Sequence, residues 1–394
     1  MLQVSAMPAP LRRAIWLLGL CQCVLWGVLY YSFSALLIPM ESSLGLSRTA
    51  VAGAFSIGLC AMAVAAPAIG RWLDAGHAAR LARSGMALAL AGLLIVASAQ
   101  GIGMLYLGWL SIGIAMAMLL YEPAFTLVIR AVADDGHRLR ALAAVTVLGG
   151  LASTIFLPLL SVLIEQWSWR AAVLACAGMV MIAASAMDRH VIPALLPAAE
   201  VAQPRMKPDR TPWPPYLATL VAIFASGTLA SMALTTLLIP LLIERGTSAA
   251  LASLVLAALG LAQLPGRLWL LRGRGPLPVH ALKASPIVLQ VTGLVGIVVA
   301  HSPVLVATCV AVFGLGAGLQ TLARPWWVQA LYGTADAGRW NGEVARMQGF
   351  ARAAGPVAVA GAAWFLGTPL VLACVGGLLA LTVPLAHRLP VSTT

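Results

Sequence analysis

Five charged residues stand inside otherwise apolar runs: Glu122, Arg324, Glu343, Arg346 and Arg352. A charge in hydrocarbon is costly unless it is paired or used, so each is a candidate for function. Arg352 shares a helical face with Asn341 and Gln348, which precede it by eleven and four residues. Pro356, four residues on, has no N–H, so the carbonyl of Arg352 loses its helical partner. A guanidinium beside an opened helix suits a carboxylate, because its planar fork can engage both oxygens. The expectation is that Arg352, helped by Gln348 and Asn341, binds the anionic group of a solute. The competing reading is a buried ion pair. Glu343 and Arg346 are three residues apart on another side of the helix, where they can pair with each other. They are candidates for coupling or gating.

Glu122 and Arg324 have opposite charge, and each precedes a proline. Glu122 is also the candidate proton site. Gln22, Trp26, Tyr30 and Ser34 recur every four residues, and Thr228, Ser231 and Thr235 follow at spacings of three and four. Each series makes a semi-polar stripe that would either line a solute path or pack helices together. Trp26 and Tyr30 can stack on a small organic molecule or hydrogen-bond to it. No Gly-rich nucleotide loop with Lys-Ser/Thr and no cluster of metal ligands is visible, so no cofactor is expected. The six cysteines all fall in apolar runs, which argues against a disulfide framework.

The elements that must position these residues follow from composition. Of 394 residues, 61% are hydrophobic and only 9% charged. A chain so poor in charge could not cover its surface in water. Its apolar runs are each about 20 residues or longer, enough for a helix to cross the hydrocarbon core. Twelve transmembrane helices are expected, at 14–38, 49–70, 84–101, 104–130, 141–164, 170–188, 215–243, 248–271, 284–300, 304–330, 342–366 and 370–387. The net charge of +12 is concentrated in alternate loops, which reads as topology rather than nucleic-acid binding. Arg71, Arg80, Arg83, Arg130, Arg138, Arg140, the Arg189–Arg210 cluster, Arg272, Arg274, Lys283 and Arg339 lie on one side. The other side holds only Arg48, Arg170 and Arg245. Both termini are therefore expected in the cytoplasm.

A proline-rich polar stretch from Arg189 to Pro214 separates two halves, giving expected units at 1–188 and 215–394 around a linker at 189–214. The halves read as repeats. Leu36-Leu37-Ile38-Pro39 matches Leu237-Leu238-Ile239-Pro240, Gly70-Arg71 matches Gly266-Arg267, Glu122-Pro123 matches Arg324-Pro325, and Pro158 matches Pro356. Two parallel six-helix repeats with a binding site where they meet is an architecture of secondary transporters.

Gly70-Arg71-Trp72-Leu73-Asp74, with Gly76 and Arg80, resembles the loop signature of the major facilitator superfamily. His77 stands where that signature usually has its second glycine. Trp26 to Ser34 and Gly45-Leu46-Ser47-Arg48 resemble the bacterial branch of monocarboxylate and oxalate–formate carriers. The resemblance implies an all-α membrane protein of two pseudo-symmetric six-helix bundles, with helices 4 and 10 lining a central path. Glu122 and Arg324 would then latch one state of that path. Asp74, with Arg71, would hold a neighbouring helix end in one state and release it in the other.

The expected function is secondary active transport of a small organic solute, coupled to protons, by a monomer in the bacterial inner membrane among its lipids. Three arginines against two glutamates tilt the cargo toward an organic anion such as a monocarboxylate. The alternatives are efflux of a lipophilic drug and, in another class, a non-transporting sensor or scaffold. No acid–base or nucleophile constellation supports an enzyme.

Overall fold

The computed structural model describes residues 7–201, 213–272 and 279–390. Both chain ends, and Arg205, Lys207, Arg210 and Arg274 of the expected basic loops, lie outside the described residues. Every regular element among the described residues is helical. Ten helices are long and apolar enough to cross a membrane. These are α1 (Ala9–Leu44), α2 (Arg48–Asp74), α3 (Ala78–Ala97), α4 (Ile102–Ala131), α5 (Gly136–Gln166), α6 (Trp169–Leu196), α7 (Leu217–Glu244), α10 (Pro303–Tyr332), α11 (Ala337–Leu366) and α12 (Thr368–His387). The two remaining apolar runs form α8, which is Ala249–Ala262 continued by Leu264–Arg272, and α9 (Val279–Val299).

The chain divides into two units. Unit 1 is Met1–Asp209 with Tyr332–Arg346, and unit 2 is Arg210–Leu331 with Met347–Thr394. The boundaries expected at 188 and 215 rest on the repeat and the prolines. The start of α11 is grouped with unit 1.

Several helices run past their apolar stretch. Arg80 and Arg83 lie in the first turns of α3 rather than in a loop. Ile192–Val201 continues the sixth helix beyond 188, after a π turn at Met187–Val191. Pro193 follows just after the π turn, and its missing N–H leaves a carbonyl of that turn without a helical donor. Hydropathy marks the immersed part of a helix, whereas backbone hydrogen bonding continues until a cap or turn ends it.

In unit 1, α4 packs on both α2 and α3, and α1 packs on α5. Glycines allow the close approaches. A Cβ on Gly113 of α4 would fall on the backbone of Gly58 in α2, and one on Gly92 of α3 would meet the Gly108 carbonyl. Small residues at such crossings let backbones pack where lipid provides no hydrophobic drive. Unit 2 repeats these contacts 201 residues later. Gly314 abuts the Leu259 carbonyl, and Gly293 abuts that of Cys309. The turns repeat at the same interval. Gly45 and Gly246 have positive φ (63° and 83°), and Ser47 and Ser248 cap the helices that follow.

Candidate functional site

Three backbone irregularities meet in unit 1. Trp26–Tyr31 is a π turn inside α1, α4 is interrupted at Leu120, and α5 is interrupted at Leu151. Irregular backbone at membrane depth is tolerated only where protein or a cavity covers it. Side chains reach the carbonyls at these irregularities. Ser32 Oγ donates to the Val28 carbonyl at 2.5 Å. Pro123 leaves the Leu119 carbonyl without its helical donor, and Gln22 Nε2, fully buried, supplies one at 2.7 Å. Gln22 thus holds α4 to α1 with its amide N–H. Its Oε1 is buried without a hydrogen-bond partner among the described residues.

Pro123 is the third residue of the new segment Tyr121–Ala131, and Glu122 lies in its first turn. A helix start favours proline and a carboxylate alike. Trp26 lies 4.9 Å from Tyr121 and 5.2 Å from Tyr30, ring centroid to centroid. The cluster runs on through Tyr31, Phe55, Phe33 and Trp109. The Trp26 indole N–H is buried and makes no hydrogen bond among the described residues. The stripe expected from a uniform helix is altered by the π turn: Trp26 is buried, Tyr30 half-buried and Ser34 exposed.

At the end of α2, Asp74 Oδ1 accepts from Arg130 Nη2 at 2.6 Å and from the Gly338 N–H at 2.9 Å. Its Oδ2 accepts from the Arg339 N–H at 2.5 Å. Arg130 also donates to the carbonyls of Leu73 and Ala335. A carboxylate therefore caps the start of α11, where unpaired N–H groups and the helix dipole favour an anion. By sequence Arg130 is a topology charge only, and nothing in the sequence links it to Asp74. Arg71 is exposed and makes no hydrogen bond among the described residues. Glu343 and Arg346 form an ion pair at 2.8 Å. Asn341 is buried, with its Nδ2 on the Ala337 carbonyl and its Oδ1 without a partner among the described residues.

Unit 2 contains a buried polar network around residues 223–228 of α7. Gln290 Nε2 donates to Gln320 Oε1 at 2.8 Å, and Gln320 Nε2 donates to the Ile223 carbonyl at 3.2 Å. Arg324 Nη1 donates to Gln348 Oε1 at 2.5 Å, and Gln348 Nε2 donates to Thr228 Oγ1 at 2.9 Å. Ser231 and Thr235 turn their hydroxyls back onto α7, to the carbonyls of Gly227 and Ser231. Arg352, one turn beyond Gln348, is half-buried and has no hydrogen bond or ion pair among the described residues. The polar face expected on α11 is thus divided. Gln348 is engaged by α7 and α10, Asn341 by its own helix, and Arg352 stays open. Gln290 and Gln320 are not among the residues expected from the sequence, although an amide inside an apolar run is itself a marker.

A family model described as Major Facilitator Superfamily matches residues 15–356. No curated protein matches the sequence significantly. Among solved structures, the human organic anion transporter MFSD10 (TETRAN) is similar at 15% identity, over 96% of this chain and all of that one, with a TM-score of 0.73. FucP in the outward conformation is 14% identical over 96% and 99% of the two chains, with a TM-score of 0.65. The proton:xylose symporter XylE, bound to a bromodeoxyglucose, is 10% identical over 97% and 96%, with a TM-score of 0.74. At such identities these likenesses establish the fold.

Proposed function

The chain belongs to the major facilitator superfamily, and from that membership we propose that it carries a small organic anion, of which a monocarboxylate is the favoured class. Family and fold support a multi-pass secondary transporter and not an enzyme. The proposal places it in the bacterial inner membrane with both termini cytoplasmic, working by proton-coupled alternating access. The observation that supports an anionic cargo is Arg352. Arg324, Arg130 and Arg346 all have protein partners, whereas Arg352 has none among the described residues. A half-buried guanidinium left open can bind both oxygens of a carboxylate. Gln348, held by Arg324 and Thr228, supports the same stretch of α11. Glu122 is proposed as the proton site, and the Asp74 cap on α11 as the contact released when the carrier changes state.

A second reading has one specific support. The aromatic cluster around Trp26 would suit a flat lipophilic compound, as in drug efflux. Binding measured on the purified protein separates the two. Carboxylates should bind the native protein, and Arg352→Lys should weaken them about tenfold, the equivalent of one charge-assisted hydrogen bond. Arg352→Gln should abolish binding while the melting temperature holds. Normal binding with a stability loss of roughly 3–5 kcal/mol would instead make Arg352 half of a buried pair.

A further inference from the structure

The loop between α2 and α3 and the first turns of α3 border an open, surface-facing cavity of about 740 Å³ that the transport reading does not use. His77, Arg80, Arg83 and Ser84 line it, with small residues such as Ala75 and Ala79 between them. Neighbouring acids are already engaged. Asp74 is held by Arg130 and the start of α11, and Asp188 takes Arg83 Nε at 2.6 Å. That bond leaves the terminal nitrogens of Arg83 without a hydrogen bond among the described residues, and the same holds for Arg80 and His77. Ser84 donates its proton to the Arg80 carbonyl at 2.8 Å, so it lines the cavity rather than supplying a donor. The cavity therefore offers two guanidinium groups and an imidazole, with no free acid facing them among its lining residues.

Its depth in the membrane follows from its neighbours. The spans of α2 and α3 flank a connection of only three residues, 75–77, so the cavity lies at the ends of two spans, where lipid headgroups are expected. Trp72, 56% exposed, lies at the end of α2 as an interfacial residue would. His77 occupies the position where the resembling loop signature has glycine, so the imidazole is a feature of this chain.

We propose that this cavity binds a phosphate group, either the phosphodiester of an anionic lipid or free phosphate. Two arginine forks and an imidazole can meet the tetrahedrally arranged oxygens of a phosphate from several directions, which a planar carboxylate would not require. Anionic headgroups gather basic segments at this depth. The proposal is independent of Arg352 and of the cargo.

The test is thermal stability of the full-length protein in detergent, titrated separately with phosphatidylglycerol, phosphatidylcholine and inorganic phosphate. Phosphatidylglycerol should raise the melting temperature and phosphatidylcholine should not. A His77→Gly, Arg80→Gln double variant should need about tenfold more phosphatidylglycerol for the same shift. Arg189→Gln removes an exposed cation outside the cavity and should leave the response intact. An equal shift with inorganic phosphate, lost in the double variant, supports the site and assigns it to the soluble anion. Equal shifts with phosphatidylcholine overturn the proposal. So does a full phosphatidylglycerol response in the double variant, or an equal loss in Arg189→Gln. The variants lie on an exposed surface, and their own melting temperatures without lipid check that they fold.

Discussion

Gln22 and Gln320 show how a single amide serves both units. Gln22 reaches from α1 to the Leu119 carbonyl of α4, and Gln320 reaches from α10 to the Ile223 carbonyl of α7. Ile223 and Gln320 stand 201 positions after Gln22 and Leu119, so the same two positions are bridged with donor and acceptor exchanged. Replacing Gln22 by Leu keeps the bulk but leaves the Leu119 carbonyl buried without a donor. Gln22→Leu and Gln320→Leu should each destabilise by about 1–3 kcal/mol in an unfolding measurement. Asp74→Asn removes the charge that meets Arg130 and the start of α11, in a pair whose side chains are 12% and 14% exposed. Its melting temperature should fall, by the equivalent of about 3 kcal/mol if the pair behaves as buried. An unchanged melting temperature would show that the cap contributes little. Charged residues such as Arg352, Glu343 and Arg346 were legible because charge inside an apolar run stands out. Gln290, Gln320 and the pairing of Asp74 with Arg130 were not. A neutral amide does not break a hydropathy plot, and a contact across 56 residues leaves no local pattern.

At the scale of elements, apolar runs located the helices, but their ends and interruptions were less visible. Hydropathy does not show that α3 begins at Ala78, nor that α1 widens into a π turn at Trp26. Pro123 could have announced the interruption of α4, yet Pro325 sits inside α10 without one. A proline in a membrane helix is compatible with either outcome, and the neighbouring helices decide which occurs. The sparse arginines on the second side also find their purpose here. Arg170 donates to the Ala99 carbonyl after α3, Arg245 donates to the Ala300 carbonyl after α9, and Arg48 pairs with Glu41. Glycines separate packing from tolerance. Gly113 of α4 faces the backbone of Gly58, whereas a Cβ on Gly178 of α6 meets nothing within 4 Å. Gly113→Leu should therefore cost at least about 1–3 kcal/mol, enough to reduce the folded yield. Gly178→Leu should leave yield and melting temperature close to native. Equal effects of the two in a detergent stability assay would contradict the packing of α4 on α2.

For the whole molecule, the duplication was the most legible property. Offsets near 200 residues between matching prolines and glycines recur in the structure as paired turns, caps and crossings. What composition could not convey is that residues 332–346 pack with the first unit, because a repeat predicts equivalence and not contact. Orientation rests on the basic loops, so a cysteine placed at Gln203, outside the described residues, should be labelled only from the cytoplasmic side. Labelling only from the periplasmic side would reverse the proposed topology. The cargo is the central claim, and transport by purified protein in liposomes tests it most directly. Labelled monocarboxylates should move across the membrane in response to a proton gradient, and Arg352→Gln should reduce that movement to the level of protein-free liposomes. Gradient-driven movement of lipophilic cations in place of carboxylates, unchanged by Arg352→Gln, would contradict the account.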